Sequence, residues 1–456
     1  MDGPAPPAHG AILDALRAHL GTGALRPEAA RRAALIRLRD ALEASEPDLL
    51  AALHADLGKP AVEAWASEIM LVRQELAVAL RKLRGWMAPR RVGVRWFQLP
   101  GRASVVAEPR GVALILGPWN YPAQLCLMPL VSAVAAGCAV VLKPSELAPA
   151  TADAIARLIE RAFDPDHVRC VTGGPEVARA LTVLPFDHVF FTGSTGIGRQ
   201  VAEAAAKNLA TVTLELGGVN PCIVDASADP AVTARRIAWG KFLNAGQTCL
   251  APNHVWVEES SFDALTAALR DTLTRFYGPD GRGMQRIVNA RQFTRLRDML
   301  DAGRVLHGGM ADEAALHIPP TILADADPAL RREEIFGPIL PVIPYRELDA
   351  VLAEIAAAPP PLAVYVHTRD RALADRVTAA TRSGGVCVND TLVQATVPEL
   401  PFGGVGASGQ GRYHGRAGFD AFSDQRAIFR QPAGVDPPMR YPPIKAPLSL
   451  LKRLMG

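Results

Sequence analysis

One cysteine stands in a segment that would suit a nucleophile. Cys249 lies in FLNAGQTCLAP, where Asn244, Gly246, Gln247 and Thr248 are polar or small, as expected where a substrate must reach the sulfur. A thiol has a reference pKa of about 8.5, so a nearby base or positive dipole would be needed to supply thiolate at neutral pH. The other cysteines lie in apolar runs such as PCIV and VCVN, where cysteine acts as a small core hydrophobe. A core position is the alternative for Cys249 as well.

Two further polar residues follow apolar strands and could assist such a nucleophile. Glu215 lies near the end of TLELGG, and burial there without a cation would raise its carboxyl pKa toward neutrality, which suits a general base. Asn120 lies in GPWNYP after GVALIL, where its amide N–H donors could stabilise an oxyanion. The residues alone equally allow a helix-capping or loop carboxylate and a turn-forming asparagine.

Two segments have the residue types that bind a dinucleotide. In FTGSTGIGR at 191–199 a strand ends in a glycine-rich turn before a helix, which lets backbone amides approach a phosphate. Its glycines do not follow the common G-x-G-x-x-G spacing, so a plain strand-to-helix turn is the alternative. In VVLKPSE, Lys143 and Glu146 follow a buried strand and could hold the two hydroxyls of a ribose. A solvated ion pair is the other interpretation of these two residues.

The elements around these residues indicate an α/β protein. From Gly111 onward, apolar runs alternate with helical segments: GVALILG, AVVLKP, VRCVTG, HVFFTG and TVTLELG. Such strands predict a parallel sheet covered on both sides, which is a doubly wound nucleotide-binding architecture. A second α/β run follows from Asn220, with strands predicted in NPCIVD, NHVWVEE, ILPVIPY, LAVYVH and GVCVND. The helices predicted in this second run cover 229–243, 260–276, 287–302 and 369–382.

The N-terminal part of the chain and its longest uncharged stretch are also predicted to contain helices. Leu35, Leu38 and Leu42 form one stripe of a helical face, and similar spacing continues through the first ninety or so residues. The segment 125–142 carries no charge and approaches the length of a membrane helix. Its end, AVVLK, is β-branched, so we interpret it as a buried helix followed by a buried strand, and no membrane span is predicted.

Composition and charge exclude several classes of function. The 456 residues include 49 Lys and Arg against 46 Asp and Glu, and the net charge of +3 predicts no nucleic-acid partner. With 49% apolar and 21% charged residues the chain is not disordered, and its length predicts two or three domains. Six cysteines without a CxxC pair favour a reducing compartment and argue against structural zinc, so no metal is predicted. The opening MDGPAPPAHG lacks the pattern of a secretory signal, and a cytoplasmic location is expected.

The segments described above, in the order and spacing that they have along the chain, resemble those of the aldehyde dehydrogenase superfamily. The similarity continues through EEIFGP at 333–338 and PFGGVGASGQGRYHG at 401–415, and it covers the chain from about residue 30 to residue 430. RRIAWGKF and the PFGGVG…YHG segment are similar to those of class 3, the group that contains fatty, aromatic and coniferyl-type aldehyde dehydrogenases. One such motif could be a coincidence, but several collinear ones could not.

The resemblance implies an enzyme that oxidises a small-molecule aldehyde to its carboxylic acid with NAD or NADP. Cys249 would attack the aldehyde, Asn120 and the Cys249 backbone N–H would hold the oxyanion, and Glu215 would activate the water that hydrolyses the thioester. Glu146 would repel a 2′-phosphate, which favours NAD, but members of this class often accept both cofactors, so the preference stays open. The residues that match the family's cofactor contacts are Lys143, Glu146, Gly193, Ser194, Gly198, Glu334, Phe336 and Trp119.

The same resemblance implies the fold and the assembly. We expect an aldehyde dehydrogenase-like α/β fold with a Rossmann-type cofactor domain, a catalytic α/β domain and a small β bridging element. The predicted boundaries are an NAD(P)-binding domain (1–91 and 109–216), a catalytic domain (217–424), a bridging element (92–108 and 425–432) and a Pro-rich tail (433–456). An exposed hairpin edge in the bridging element invites pairing with another subunit's strand, so a homodimer is predicted.

The sequence departs from the family at two positions, and other functions stay open on the residues alone. Val219 stands where the family usually has Lys after ELGG, which would leave the carboxylate of Glu215 easier to protonate. Asn253 stands where related enzymes commonly have Asp. The alternatives are a thiol esterase or CoA-acylating acyl transferase that keeps Cys249, and a binding protein that keeps only the fold.

Overall fold

The computed structural model describes residues 7–436, 441–443 and 447–455, so the predicted tail at 433–456 lies partly outside the described residues. The strands, numbered along the chain, are β1 Arg90–Val92, β2 Arg102–Pro109, β3 Val112–Leu116, β4 Ala139–Lys143, β5 Val168–Cys170, β6 His188–Gly193, β7 Thr211–Leu216, β8 Pro221–Val224, β9 His254–Glu258, β10 Arg304–His307, β11 Thr321–Ala324, β12 Ile339–Tyr345, β13 Ala363–His367, β14 Gly385–Val388, β15 Gly409–Gln410 and β16 Ser423–Arg430. The helices are α1 Pro7–Gly21, α2 Glu28–Leu57, α3 Ala61–Ala64, α4 Met70–Met87, α5 Gln124–Ala136, α6 Pro149–Ala162, α7 Pro175–Thr182, α8 Thr195–Lys207, α9 Pro230–Phe242, α10 Phe262–Tyr277, α11 Ala290–Met299, α12 Leu348–Ala357, α13 Arg371–Ala380, α14 Gly415–Ala421 and α15 Leu448–Met455.

The first sheet is the predicted doubly wound sheet. Its strand order is β15-β7-β6-β3-β4-β5, and its strands are parallel except β15, which pairs antiparallel with β7. All residues of β3 and β4 are buried because helices cover both faces of the sheet. The uncharged segment 125–142 forms most of α5 and β4, as interpreted from the sequence. Among the described residues no helix is both long and apolar enough to cross a membrane.

The second sheet has seven strands in the order β10-β11-β12-β9-β8-β13-β14. Five of them coincide with the predicted strands, and the sequence analysis did not identify β10 and β11. These two are four residues each, and β10 pairs antiparallel with β11 at the edge of an otherwise parallel sheet. The helices α9, α10, α11 and α13 correspond to the four predicted ones, whereas α12 was not predicted.

A third, small sheet has the order β1-β2-β16 and is antiparallel. It lies in the chain where the bridging element was predicted. β16 pairs with β2 along its whole length, from Ser423 opposite Pro109 to Arg430 opposite Arg102. Both β16 and β14 are edge strands of their sheets, so each has one side without a partner strand in the described chain.

Candidate active site

The loop that carries Cys249 leaves α9 through a short run of left-handed backbone. Asn244, Ala245 and Gly246 have φ values of 54°, 53° and 72°, a conformation that residues other than glycine rarely adopt. A Cβ on Gly246 would overlap the carbonyl oxygen of Gly337, so only glycine fits at this position. Strained backbone of this kind is held in proteins where the surroundings determine it strongly, as they do around Cys249.

Buried side chains fix the backbone on both sides of Cys249. Asn220, directly before β8, donates from Nδ2 to the carbonyl oxygens of Cys249 at 2.7 Å and of Ala251 at 3.1 Å. The hydroxyl of Tyr365 in β13 donates to the carbonyl oxygen of Leu250 at 2.7 Å. Because three successive carbonyls are bound, the peptide groups around the sulfur have fixed orientations.

The thiol of Cys249 lies among acidic groups. Cys249 is partly buried, as is Cys170, while the remaining four cysteines are buried. Its pKa is raised to about 12, first by burial and then by the charges of Glu334 and Glu215, and backbone N–H groups of Cys249 and Leu250 oppose this shift. The sequence predicted a base or positive dipole beside the sulfur. The backbone N–H groups match that prediction in direction, but burial and the two carboxyl groups outweigh them.

Asn120 extends from the loop after β3 to the cysteine loop. Its side chain is buried, and its Nδ2 donates to the carbonyl oxygen of Gln247 at 3.0 Å. An amide nitrogen has two N–H donors, so this bond leaves the second one for another acceptor. The next residue, Tyr121, forms a hydroxyl contact of 2.7 Å with Oγ1 of Thr248. The loop after β3 is therefore joined to the two residues that precede Cys249.

Glu215 is buried near the end of β7, opposite Gly409 of β15. Neither oxygen of its carboxyl group has a hydrogen-bond partner among the described residues. Burial raises its pKa well above the usual value, and the positive charge of Arg412 opposes the shift. The predicted direction is therefore confirmed. The cation was not predicted, and the sequence analysis considered only its loss at Val219.

Lys143 and Glu146 form an ion pair at the carboxyl end of β4. Lys143 is buried and its Nζ lies 2.9 Å from Oε2 of Glu146 and 2.9 Å from the carbonyl oxygen of Pro144. The side chain of Glu146 is 34% exposed, so the pair lies at the surface of the sheet edge rather than inside the core. An ammonium and a carboxylate held side by side at this edge could bind the hydroxyls of a ribose.

The glycine-rich turn joins β6 to α8. Ser194 is the N-cap residue of α8, and its side chain makes no capping hydrogen bond. A Cβ on Gly198 would lie 2.6 Å from Leu216 Cδ2, and one on Gly193 would lie 2.5 Å from Phe191 Cζ. Gly198 thus allows α8 to pack closely on β7, and this directs the N-terminal amides of the helix toward the open end of the sheet.

Three further predicted cofactor residues meet across the cleft between the two large sheets. The rings of Trp119 and Phe336 have centroids 5.5 Å apart at 79°, so the loop after β3 contacts the loop before β12. Glu334 lies against the backbone of Gly217 and Gly218 at the end of β7. Burial raises its pKa to about 7, opposed by the Gly218 N–H and by nearby cations. Its Oε1 is buried without a partner in the described chain, which fits an acceptor for a ribose hydroxyl.

Sequence reasoning missed three cations of this region. Arg412, whose charge acts on Glu215, lies in the GQGRYHG stretch that the sequence analysis quoted only as a motif. Lys241, buried in α9, acts on Glu334 through its charge. Lys59 is buried beneath the Asn120 loop and is almost 200 residues from Cys249 in the chain. Lys59 lies in none of the quoted motifs, and the motifs that contain Arg412 and Lys241 do not show that folding brings these cations to the site.

Asn253 has a structural role that the sequence alone did not reveal. Its Oδ1 accepts from the backbone N–H of Ile335 at 2.8 Å, and its Nδ2 donates to the carbonyl oxygens of Leu330 at 2.9 Å and Glu333 at 3.2 Å. The side chain is buried, so these bonds fix the segment that carries Glu334. Two of the three bonds need an amide donor, which an aspartate would lack.

Comparison with known proteins agrees with this geometry. The model of the aldehyde dehydrogenase family matches residues 5–428. The chain belongs to this family. It is 42% identical over 429 residues to the 4,4'-diaponeurosporen-aldehyde dehydrogenase of Staphylococcus aureus, covering 92% of this chain and 94% of that protein. It is 43% identical over 442 residues to human aldehyde dehydrogenase family 3 member B1, covering 95% and 94%. The predicted class 3-like membership is therefore confirmed.

Solved structures of aldehyde dehydrogenases have the same fold. The substrate-bound state of Staphylococcus aureus AldH superposes with a TM-score of 0.96 at 39% identity, covering 98% of this chain and 99% of that one. An indole-3-acetaldehyde dehydrogenase in complex with NAD+ gives a TM-score of 0.85 at 28% identity, covering 93% and 89%. The chain is an NAD(P)-dependent aldehyde dehydrogenase with a Rossmann-like fold, and the esterase and acyl transferase alternatives are not favoured.

Proposed function

We propose that Cys249 is the nucleophile, Asn120 the oxyanion donor and Glu215 the base of aldehyde oxidation in this protein. One observation carries the proposal: three different elements bring these side chains to one site. Asn120 bonds the carbonyl of Gln247, two residues before Cys249. Glu215 is one of the two carboxyl groups that raise the pKa of the Cys249 thiol.

The first step forms a bond between Cys249 Sγ and the aldehyde carbon. The thiol proton must leave as this bond forms, and Glu215 can accept it through water when its carboxyl is ionised. The carbonyl oxygen becomes an oxyanion, which accepts hydrogen bonds from the free N–H of Asn120 and from the backbone N–H of Cys249. A donor of this kind typically contributes about 10²- to 10³-fold in rate.

The residues on the sheet edge would hold the cofactor. Lys143 and Glu146 would bind the adenosine ribose, Gly193 and Ser194 would border the phosphates, and Glu334 would bind the nicotinamide ribose through Oε1. Phe336 and Trp119 would border the nicotinamide ring, and Gly198 lets α8 pack closely on β7, so that its N-terminal amides would be available to the phosphates. When bound, NAD(P) supplies the hydride acceptor that allows the thiohemiacetal to become a thioester.

Glu215 completes the reaction by activating water against the thioester carbonyl. The raised pKa of this buried carboxyl makes it a stronger base than an exposed glutamate once it is ionised. The same oxyanion donors stabilise the second tetrahedral intermediate, and its collapse releases the carboxylic acid and regenerates the Cys249 thiol. Hydrolysis by water, rather than transfer to CoA, follows from this assignment.

The substrate is an apolar aldehyde. A cavity of about 220 Å³ adjoins the cysteine loop, and among its lining residues are Leu250, Leu362, Leu400 and Phe402. Gln394 is the one polar side chain among the described lining residues. The Staphylococcus aureus relative is named for 4,4'-diaponeurosporen-aldehyde, a name that fits an apolar substrate.

A panel of aldehydes of increasing length and aromaticity tests the substrate assignment. Each compound would be assayed with NAD and with NADP by the absorbance of the reduced cofactor. We expect kcat/KM to rise with apolar size, and each added buried methylene to be worth up to about 0.8 kcal/mol, roughly fourfold. A preference for small polar or charged aldehydes would contradict the assignment.

The assembly and location are proposed as a cytoplasmic homodimer. Two unpaired strand edges, β16 and β14, support this, since an edge strand can pair with a strand of another copy. Phe429 on β16 is 51% exposed, which favours burial against a partner. We also propose the domain boundaries expected from the sequence. Near the end of the 217–424 segment, β15 joins the first sheet by pairing with β7.

A further inference from the structure

A fully buried ion pair lies beneath the loop that carries Asn120. Lys59 follows Gly58, which ends α2 in a left-handed conformation with φ 71°. Glu68 lies in the π-helical turn Trp65–Ile69 between α3 and α4. The side chains of Lys59 and Glu68 are both 0% exposed, and Nζ contacts Oε1 directly.

Both members of the pair bind the backbone of the same loop. Lys59 Nζ donates to the carbonyl oxygen of Asn120 at 2.8 Å and lies 4.1 Å from the centroid of the Tyr121 ring. Glu68 Oε2 accepts from the backbone N–H groups of Ala123 at 2.8 Å and Gln124 at 3.2 Å. The pair therefore holds the loop in its middle, at Asn120, and at its end, where α5 begins.

The loop in turn contacts residues that precede Cys249, the proposed nucleophile. The Asn120 carbonyl also accepts from Nδ2 of Asn244 at 2.9 Å, while the side chain of Asn120 bonds Gln247. The hydroxyl of Tyr121 contacts Thr248, the residue before the proposed nucleophile. A shift of the loop would move the amide donor and the tyrosine together relative to Cys249.

Stability alone does not account for a pair in this position. Two charges that leave water lose several kcal/mol of hydration each, and apolar residues of similar size often serve stability equally well. Here the charges make directed bonds to backbone atoms of a catalytic loop, and a displacement of about 1 Å at such a site can cost roughly 10²-fold in rate.

We propose that Lys59 and Glu68 are positioning residues that set the orientation of the Asn120 amide and the Tyr121 ring at the oxyanion site. The proposal rests on the proposed role of Asn120. It concerns residues that neither the motifs of the sequence nor the reaction itself identify.

The test uses the double variant Lys59→Met/Glu68→Gln. The single variant Lys59→Met would leave a buried carboxylate without its cation and could unfold the protein, whereas the double variant removes both charges at similar volume. We expect the rate of the first turnover, measured as the burst of reduced cofactor, to fall about 10- to 100-fold. The Kd of the cofactor should change less than twofold, which also reports that the fold is intact.

A matched control is Arg31→Met. Arg31 is another buried cation of the N-terminal helices, and it donates to the carbonyl oxygens of Leu25 at 2.9 Å and Ala135 at 3.2 Å, at the far end of α5. We expect it to lower the melting temperature without changing the first-turnover rate. If Arg31→Met slows the first turnover as much as the double variant does, the effect is general destabilisation and the proposal is wrong.

A double-mutant cycle with Asn120→Ala separates positioning from other effects. In the wild-type background this substitution should slow the first turnover about 10²- to 10³-fold. In the Lys59→Met/Glu68→Gln background it should cost less than about tenfold, because the amide is already misplaced. An equal cost in both backgrounds overturns the positioning proposal. No cost in the wild-type background would instead reject the role of Asn120 itself.

Discussion

At the scale of single residues, the active site raises the pKa values of three acidic groups. The pKa of Cys249 is raised to about 12 and that of Glu334 to about 7, and that of Glu215 is also raised. In each case burial is the largest cause, and the negative groups reinforce one another at the sulfur. Deprotonation of the thiol during the reaction therefore needs a base, which is the role proposed for Glu215.

The substitution Cys249→Ala should abolish aldehyde oxidation, because no other side chain at the site can form the thiohemiacetal. Cofactor binding should remain nearly unchanged, since the predicted cofactor residues lie on other loops. The absorbance of the reduced cofactor measures aldehyde oxidation, and a fluorescence titration with NAD measures cofactor binding. Cys170→Ala, at the other partly exposed cysteine, is the control and should retain full activity. Full activity in Cys249→Ala would overturn the assignment.

The substitution Glu215→Gln should slow deacylation about 10²- to 10⁴-fold and leave a burst of reduced cofactor equal to one turnover. A base acts only when ionised, and burial raises the pKa of Glu215, so the wild-type deacylation rate should increase as pH rises through that raised pKa. The glutamine variant should lose this dependence. Stopped-flow measurement across pH checks both effects, and an unaltered steady-state rate would remove Glu215 from the mechanism.

At the scale of elements, the left-handed run before Cys249 depends on a glycine. Gly246→Ala should destabilise the protein by roughly 3 kcal/mol and impair activity, because a Cβ would meet Gly337 in a backbone conformation that already disfavours side chains. Denaturant unfolding and the rate of the first turnover are the measurements.

The control for this prediction is Gly85→Ala. Gly85 lies in α4, and a Cβ there has nothing within 4 Å. The substitution should stabilise the protein by up to about 1 kcal/mol, because alanine is the better helix former. Equal stability changes at the two glycines would mean that a Cβ at Gly246 does not clash with Gly337.

The segment that carries Glu334 depends on Asn253. Asn253→Ala removes three hydrogen bonds and leaves the carbonyl groups of Leu330 and Glu333 and the N–H of Ile335 without partners. We expect the Kd of the cofactor to rise about tenfold, and kcat to fall less than the affinity. Isothermal titration with NAD measures the first effect. An unchanged Kd would show that the segment holds its position without this side chain.

Much of the fold could be predicted because buried parallel strands are apolar on both faces. β3, β4, β6, β8 and β13 therefore appear in the sequence as short apolar runs, and all were predicted. β10 is partly exposed, so it gives no apolar run. β11 is buried, but it follows Pro319 and Pro320, and consecutive prolines are typical of a loop. The helix α12 buries only Val351, Leu352 and Ile355, which makes too short a stripe to identify with ease.

Some residues of the candidate site could likewise be predicted from the sequence, and others could not. Cys249, Glu215 and Asn120 could be proposed because each follows an apolar strand or lies in a compact motif. Lys59 and Arg412 could not, because a charged residue in a helical or loop segment looks the same in sequence whether it is exposed or buried. Only the packing of distant elements reveals which charge acts on the site.

At the scale of the whole molecule, loops of the two large sheets contact each other at the site, and a third, small sheet joins distant parts of the chain. The β2 and β16 strands bring chain segments more than 300 residues apart into register, from Ser423 opposite Pro109 to Arg430 opposite Arg102. This sheet offers a regular edge at β16, and β14 offers another at the far side of the second sheet. The proposed homodimer would use these edges.

The homodimer can be tested by changing an exposed apolar residue on β16. Wild-type protein should have the mass of a dimer at micromolar concentration in analytical ultracentrifugation. Phe429→Asp should shift it toward monomer, because a charge would be buried at the interface. Leu209→Asp is the control, since Leu209 is 92% exposed in a loop outside the small sheet. A wild-type monomer, or a dimer that Phe429→Asp leaves intact, would contradict the proposal.

The acidic surroundings of Cys249 also bear on chemical damage. Peroxides and alkylating reagents react with thiolates far faster than with thiols, so a cysteine with a raised pKa reacts slowly with these reagents. Resting protein treated with hydrogen peroxide at neutral pH should accordingly keep its activity much longer than a protein with an ordinary exposed cysteine.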